Sequence, residues 1–232
     1  MTVETDLSEL KALVTARFQQ SMSIPETFFA AEEERIAHAC WEMARRFHQG
    51  GRLLAFGNGA SATDAQHVSV EFVHPVIVGK RALPALALTN DAATISRGPI
   101  YRARVSPDRA RVSPNSARMS PDRAHDVSDN THDTPFVHQI KVMARPYDIA
   151  MGFTLDGNCT NVVAALETAH HIGLLTLGLA GCDGGLLNKS NIDFPFIVHA
   201  NDPMVIQETH ETLYHVLWEL VHIFFEHEGL LT

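Results

Sequence analysis

Residues 52–73 read RLLAFGNGASATDAQHVSVEFV. LLAF is a short apolar run, the pattern of a strand buried on both faces. GNG breaks it with a glycine-containing turn, and SATDAQHVSVEFV continues as a helix. A strand passing through a glycine turn into a helix opens a β-α-β unit. The rest of the chain repeats the alternation. PALALTND (84–91), YDIAMGFT (147–154), LLTLGLAG (174–181) and FPFIVHA (194–200) read as strands. FVHQIKVMA (136–144), NCTNVVAALETAHHIG (158–173) and DPMVIQETHETLYHVLWELVHIFFEHE (202–228) read as helices. The expected fold is α/β and doubly wound: a five-stranded, mainly parallel sheet with two helices in front and one behind.

The N-terminal residues 1–49 read as a helical extension of a single domain spanning 1–232. One helix carries Leu7, Leu10, Leu13, Val14 and Phe18 at helical spacing. A second is expected from Pro25 to about Gln49, with Ser23 and Pro25 as its start signal. The chain of 232 residues can build one substantial core. Its net charge of −9 gives no overall basic field to attract nucleic acid or an anionic membrane. Cys40, Cys159 and Cys182 are odd in number and widely spaced, so no disulfide framework follows, and a cytoplasmic location is expected. MTVETDLSELKALVTARF does not read as a signal peptide, and no apolar run reaches membrane-spanning length.

Residues 99–135 interrupt the alternation. Within them, 104–124 divides into RVSPDRA, RVSPNSA and RMSPDRA, a threefold repeat with a proline in every unit. Proline excludes a coiled coil. The segment from Arg102 to Arg123 carries six of the chain's 18 basic residues. It reads either as a surface loop or as an arm reaching a protein partner, a neighbouring subunit or an anionic ligand.

In open parallel sheets, ligands collect at the carboxyl ends of the strands. The polar residues expected there are Asn58, Ser61, Asn90, Asp91, Asp156, Asn158 and Asp183. On the helix after the first strand, His67 and Glu71 are four residues apart and share a face. They suit two metal ligands, or a ligand and a base, or an ordinary ion pair. The last helix repeats the device with Gln207, Glu211 and His215 spaced by four. His210, His222 and His227 read as core or interface groups.

These segments together carry a resemblance. LLAFGNGASATDAQHVSVEF, PALALTND, AGCDGG and VIQETHETLYHVLWELV resemble, in order, segments of the SIS (sugar isomerase) domain family, in its phosphoheptose isomerase branch. The resemblance spans about residues 5–98 and 136–228. It implies an aldose–ketose isomerase working through an enediolate, with zinc held by His67, Glu71, Gln207 and His215. It further implies Glu71 and His215 as the acid/base pair and a homotetramer with sites between subunits. The substrate, a sugar or sugar phosphate, would be bound by Asn58, Gly59, Ser61, Asn90, Asp91, Thr154, Asp156, Asn158 and Gln207. Some relatives of this branch are non-catalytic tetrameric proteins that bind a ligand or a protein partner, and that is the alternative reading.

Three departures stand out. The family's phosphate loop is rich in serine and threonine, whereas this chain reads Thr154-Leu155-Asp156-Gly157-Asn158-Cys159. A carboxylate beside a phosphate dianion is repulsive; as a helix cap, Asp156 would be ordinary. No arginine follows Glu71, where His74 and Pro75 stand instead, and the repeat replaces the usual segment before the next helix. An atypical substrate is therefore expected.

Overall fold

The computed structural model describes residues 3–90, 135–227, 229 and 231, with side chains from residue 7 onward. Asp91 and the 102–124 repeat lie outside the described residues. The elements run α1 (Val3–His48), β1 (Leu53–Gly57), α2 (Ala60–Val73), β2 (Ala85–Ala87), α3 (Pro135–Met143) and β3 (Ile149–Phe153). They continue with α4 (Thr160–His171), β4 (Leu175–Gly181), a short 3-10 turn (Leu187–Lys189), β5 (Phe194–Val198) and α5 (Pro203–Glu226).

The five strands form one sheet in the order β2-β1-β3-β4-β5, and every pairing is parallel. Strands β1, β3 and β4 are buried along their whole length, which is why they read as continuous apolar runs. Side chains alternate between two cores. Leu53, Ala55, Ile149, Met151, Phe153, Leu177, Leu179 and Phe196 pack under α1, α2 and α5. Leu54, Phe56, Ala150, Ala180 and Ile197 pack under α3 and α4. The faces thus carry three helices and two, rather than two and one, because the long first and last helices share a face.

The two expected N-terminal helices are one helix of 46 residues with Pro25 inside it. A proline removes one backbone donor, and its flanks here are otherwise good helix. The second half of α1 is anchored in the core by Phe28, Ile36, Ala39, Cys40, Met43 and Phe47. That packing holds the helix through the proline. The first half projects with Leu10, Leu13, Val14 and Phe18 more than half exposed, tied back by Arg17 to Glu208 at 2.8 Å.

The amino ends of β1 and β3 are pinned by one buried carboxylate. Asp148 accepts from the Arg52 backbone N–H at 2.8 Å, from Arg52 Nη2 at 2.7 Å and from the Arg145 backbone N–H at 2.9 Å. At the opposite ends the chain reverses its winding direction between β1 and β3, the position where such sheets open a crevice. Asn58 and Asn161 close a reciprocal amide pair across it, at 2.8 and 3.1 Å.

Candidate active site

Helices α2 and α5 lie against each other on one face of the sheet. One face of α2 presents Asp64, His67 and Glu71; the facing stripe of α5 presents Gln207, Glu211, Tyr214 and His215. Trp218 ties the two helices together by donating to the Glu71 carbonyl at 3.0 Å. The start of α5 is fixed by Asp202, whose carboxylate accepts from the Met204 and Val205 N–H groups, with Pro203 in the first turn.

Glu71 is the centre of the group. Its Oε1 lies 3.3 Å from His67 Nε2 and 3.0 Å from His215 Nε2. Its Oε2 is buried and makes no hydrogen bond. A carboxylate oxygen held between two imidazoles, with its twin bare, is poised to accept a proton or to bind a cation. The two Glu71 contacts match the separation of neighbouring donors around a tetrahedral zinc, about 3.3 Å at bond lengths of about 2.0–2.1 Å, while among the described residues the three donors whose ligand atoms all lie within 4.8 Å of one another are His67, Glu211 and His215. The donor set fits zinc chemistry, with two imidazoles, one carboxylate and the Gln207 amide oxygen. That oxygen is left free because Gln207 spends its amide N–H on Asp64 Oδ1 at 2.9 Å.

Asp64, Tyr214 and Asn161 were not among the residues expected from sequence. Asp64 is 4% exposed, and its Oδ2 makes no hydrogen bond. Burial pushes its carboxyl above the usual range; the Gln207 hydrogen bond offsets part of this, the Glu211 charge adds to it, and His67 opposes it. Tyr214 is fully buried, and its hydroxyl lies 2.7 Å from His67 Nδ1. Burial first, then the Glu211, Asp64 and Glu71 charges, hold the phenol neutral by raising its pKa. The Tyr214 contact leaves His67 Nε2 to face Glu71. Asp64 precedes His67 by three residues and Glu71 by seven, a helical spacing legible in sequence, but nothing there says that the partner is an amide.

The remaining expected residues fall into two groups at the strand ends. Asn58 is engaged with Asn161. Gly59 caps α2 with φ +56°, Ser61 is buried against Gly57, and Asn90 accepts from Gln66 at 3.1 Å. After β3, Thr154 is buried and Asp156 folds the loop on itself. Asp156 Oδ1 accepts from the Asn158 backbone N–H at 2.9 Å, and the Asn158 side chain donates back to the Asp156 carbonyl at 3.2 Å. Helix α4 begins only at Thr160, with Cys159 as its N-cap and no side-chain cap. Asp156 therefore closes the turn rather than capping the helix, contrary to expectation. Gly157 is required there: its φ is +74°, and a Cβ would meet the Gly184 carbonyl oxygen at 1.9 Å. The loop joins the helix pair through Phe153, whose ring stands 6.1 Å from that of Tyr214.

Of the histidines read as core groups, His222 has its two ring nitrogens against the Trp218 and Arg81 carbonyls at 2.7 and 2.9 Å. His210 is fully buried, and burial lowers its pKa from 6.5 to about 4, with the Ala180 backbone offsetting little.

The five-stranded parallel sheet covered by helices is accompanied by a match of residues 18–112 to the SIS domain family. The phosphoheptose isomerase of Desulfovibrio desulfuricans is 32% identical over 208 residues, covering 90% of this chain and 85% of that protein. That of Thermodesulfovibrio yellowstonii is 31% identical over 219 residues, 94% of each. Among solved structures, the phosphoheptose isomerase of Neisseria gonorrhoeae superposes with a TM-score of 0.69 at 25% identity, covering 91% of this chain and 98% of that one. The chain belongs to the phosphoheptose isomerase family. No helix among the described residues is long and apolar enough to cross a membrane.

Proposed function

We propose that this chain is a metal-dependent aldose–ketose isomerase of the phosphoheptose isomerase type. The observation that carries the reading is Glu71 Oε1 held between the His67 and His215 imidazoles, with Oε2 buried and bare. Isomerisation takes a proton from the carbon beside a carbonyl, forms an enediolate and returns a proton to the neighbouring carbon. Glu71 is the base for the carbon-bound proton. His215, in contact with it, carries the proton exchanged between the two substrate oxygens. His67, Glu71, Gln207 and His215 would hold a zinc ion, whose chemistry is polarisation of the carbonyl and stabilisation of the enediolate oxygen. Asp64 keeps the Gln207 amide turned so that its oxygen is available, and Tyr214 orients His67.

The loop after β3 bears on the far end of the substrate. Asp156 occupies the Asn158 amide that a phosphate would use, and places a negative charge in the loop. This supports a substrate whose far end is a hydroxyl rather than a phosphate. Assembly into a homotetramer with shared sites is supported by the exposed apolar stripe on α1, and the working location is the cytoplasm.

The test is isomerisation of sedoheptulose 7-phosphate and of unphosphorylated sedoheptulose by the zinc-loaded protein, with Glu71→Gln as control. Turnover that depends on Glu71 supports the reading. Turnover of neither sugar, or full activity in the variant, overturns it.

A further inference from the structure

We propose that Glu211 is a further metal ligand, so that the centre carries two carboxylates. On α5, Gln207 and His215 are eight residues apart, about 12 Å along the axis. An ion reached by both must sit over the residue midway between them, and that residue is Glu211. Its Oε1 lies 3.6 Å from His67 Nδ1, the nitrogen that also meets the Tyr214 hydroxyl. Among the described residues, His67, Glu211 and His215 form a three-donor group whose ligand atoms all lie within 4.8 Å of one another. The group stands beside two buried carboxylate oxygens without hydrogen bonds, Glu71 Oε2 and Asp64 Oδ2. Unpartnered buried carboxylate oxygens are costly unless a cation or a donor completes them.

The second carboxylate changes what the centre does. A divalent ion with one carboxylate keeps a net positive charge, whereas with two it is neutral. A neutral centre holds its ion more tightly and draws a dianionic substrate less strongly. Glu211 and Asp156 therefore act in the same direction, and both favour a neutral polyhydroxy carbonyl compound. This consequence rests on the isomerase reading, but the ligand assignment does not.

The experiment is titration of the metal-free protein with cobalt(II), followed by calorimetry and by the visible d–d bands, on the parent, Glu211→Gln and Glu208→Gln. Glu208 is one turn from the site and pairs with Arg17, so its variant controls for loss of charge. Glu211→Gln is expected to bind cobalt at least roughly tenfold more weakly and to shift the bands. Glu208→Gln is expected to match the parent. Because Glu211 is half exposed, its variant should keep the parent's circular dichroism and melting profile. Equal affinity and identical bands for Glu211→Gln and the parent would overturn the assignment, as would equal weakening in Glu208→Gln or a parent that binds no cobalt. If cobalt binding depends on Glu211 while no sugar is isomerised, the ligand assignment stands and the isomerase reading falls.

Discussion

Glu71 Oε1 stands 3.0 Å from His215 Nε2, bringing together residues 144 positions apart on two different helices. The contact places a base and a second proton carrier within one hydrogen bond. Glu71→Gln keeps the shape and removes the base. Its kcat is expected to fall about 10²- to 10⁴-fold with a melting temperature close to the parent's. Steady-state kinetics beside a thermal melt separates loss of chemistry from loss of fold.

The Asp156 turn predicts an inverted response to mutation. Asp156→Ser frees the Asn158 amide and removes a charge, so KM for a sugar phosphate should fall by roughly tenfold. KM for the unphosphorylated sugar should stay level or rise. An unchanged phosphate KM would mean that the loop does not face the substrate.

His210 gives the fold an acid-sensitive element. Its folded pKa, about 4, lies below the ordinary 6.5. The unfolded chain therefore binds the proton first, and the stability is present above pH 6.5 and lost as pH falls toward 4. His210→Leu should show a shallower loss of unfolding free energy over that window, by on the order of 3 kcal/mol. Urea melts at several pH values measure it.

Asp148 joins the amino ends of β1 and β3, with Arg52 as its ionic partner. Asp148→Ala leaves the Arg52 guanidinium half-buried and two backbone N–H groups without their acceptor. A cost of about 3–5 kcal/mol in denaturant unfolding is expected, while cobalt binding by the α2–α5 helix pair persists in the fraction that folds.

The projecting half of α1 carries Leu13 and Phe18 at about two-thirds exposure. Apolar residues in such a row call for a covering surface. Leu13→Glu together with Phe18→Glu should convert the assembled protein to smaller species by light scattering. A parent that is already monomeric would refute the tetramer.

The sequence alone determined the α/β class and strand positions, because doubly buried strands require uninterrupted apolar runs and their helices require a different period. It also brought His67 to Glu71 and Gln207 to His215, since each pair lies on one helix and helical spacing is local. What it could not decide was whether the two pairs meet, and that was settled by the packing of α2 on α5. The same packing revealed Asp64 as the partner of Gln207, Tyr214 as the partner of His67, and Glu211 as a carboxylate facing the site. Core packing of the second half of α1 carried that helix through Pro25, where the local rule predicted a break. Hydrogen bonds between residues more than a hundred positions apart leave no periodic trace in the chain, so only the tertiary structure could show them.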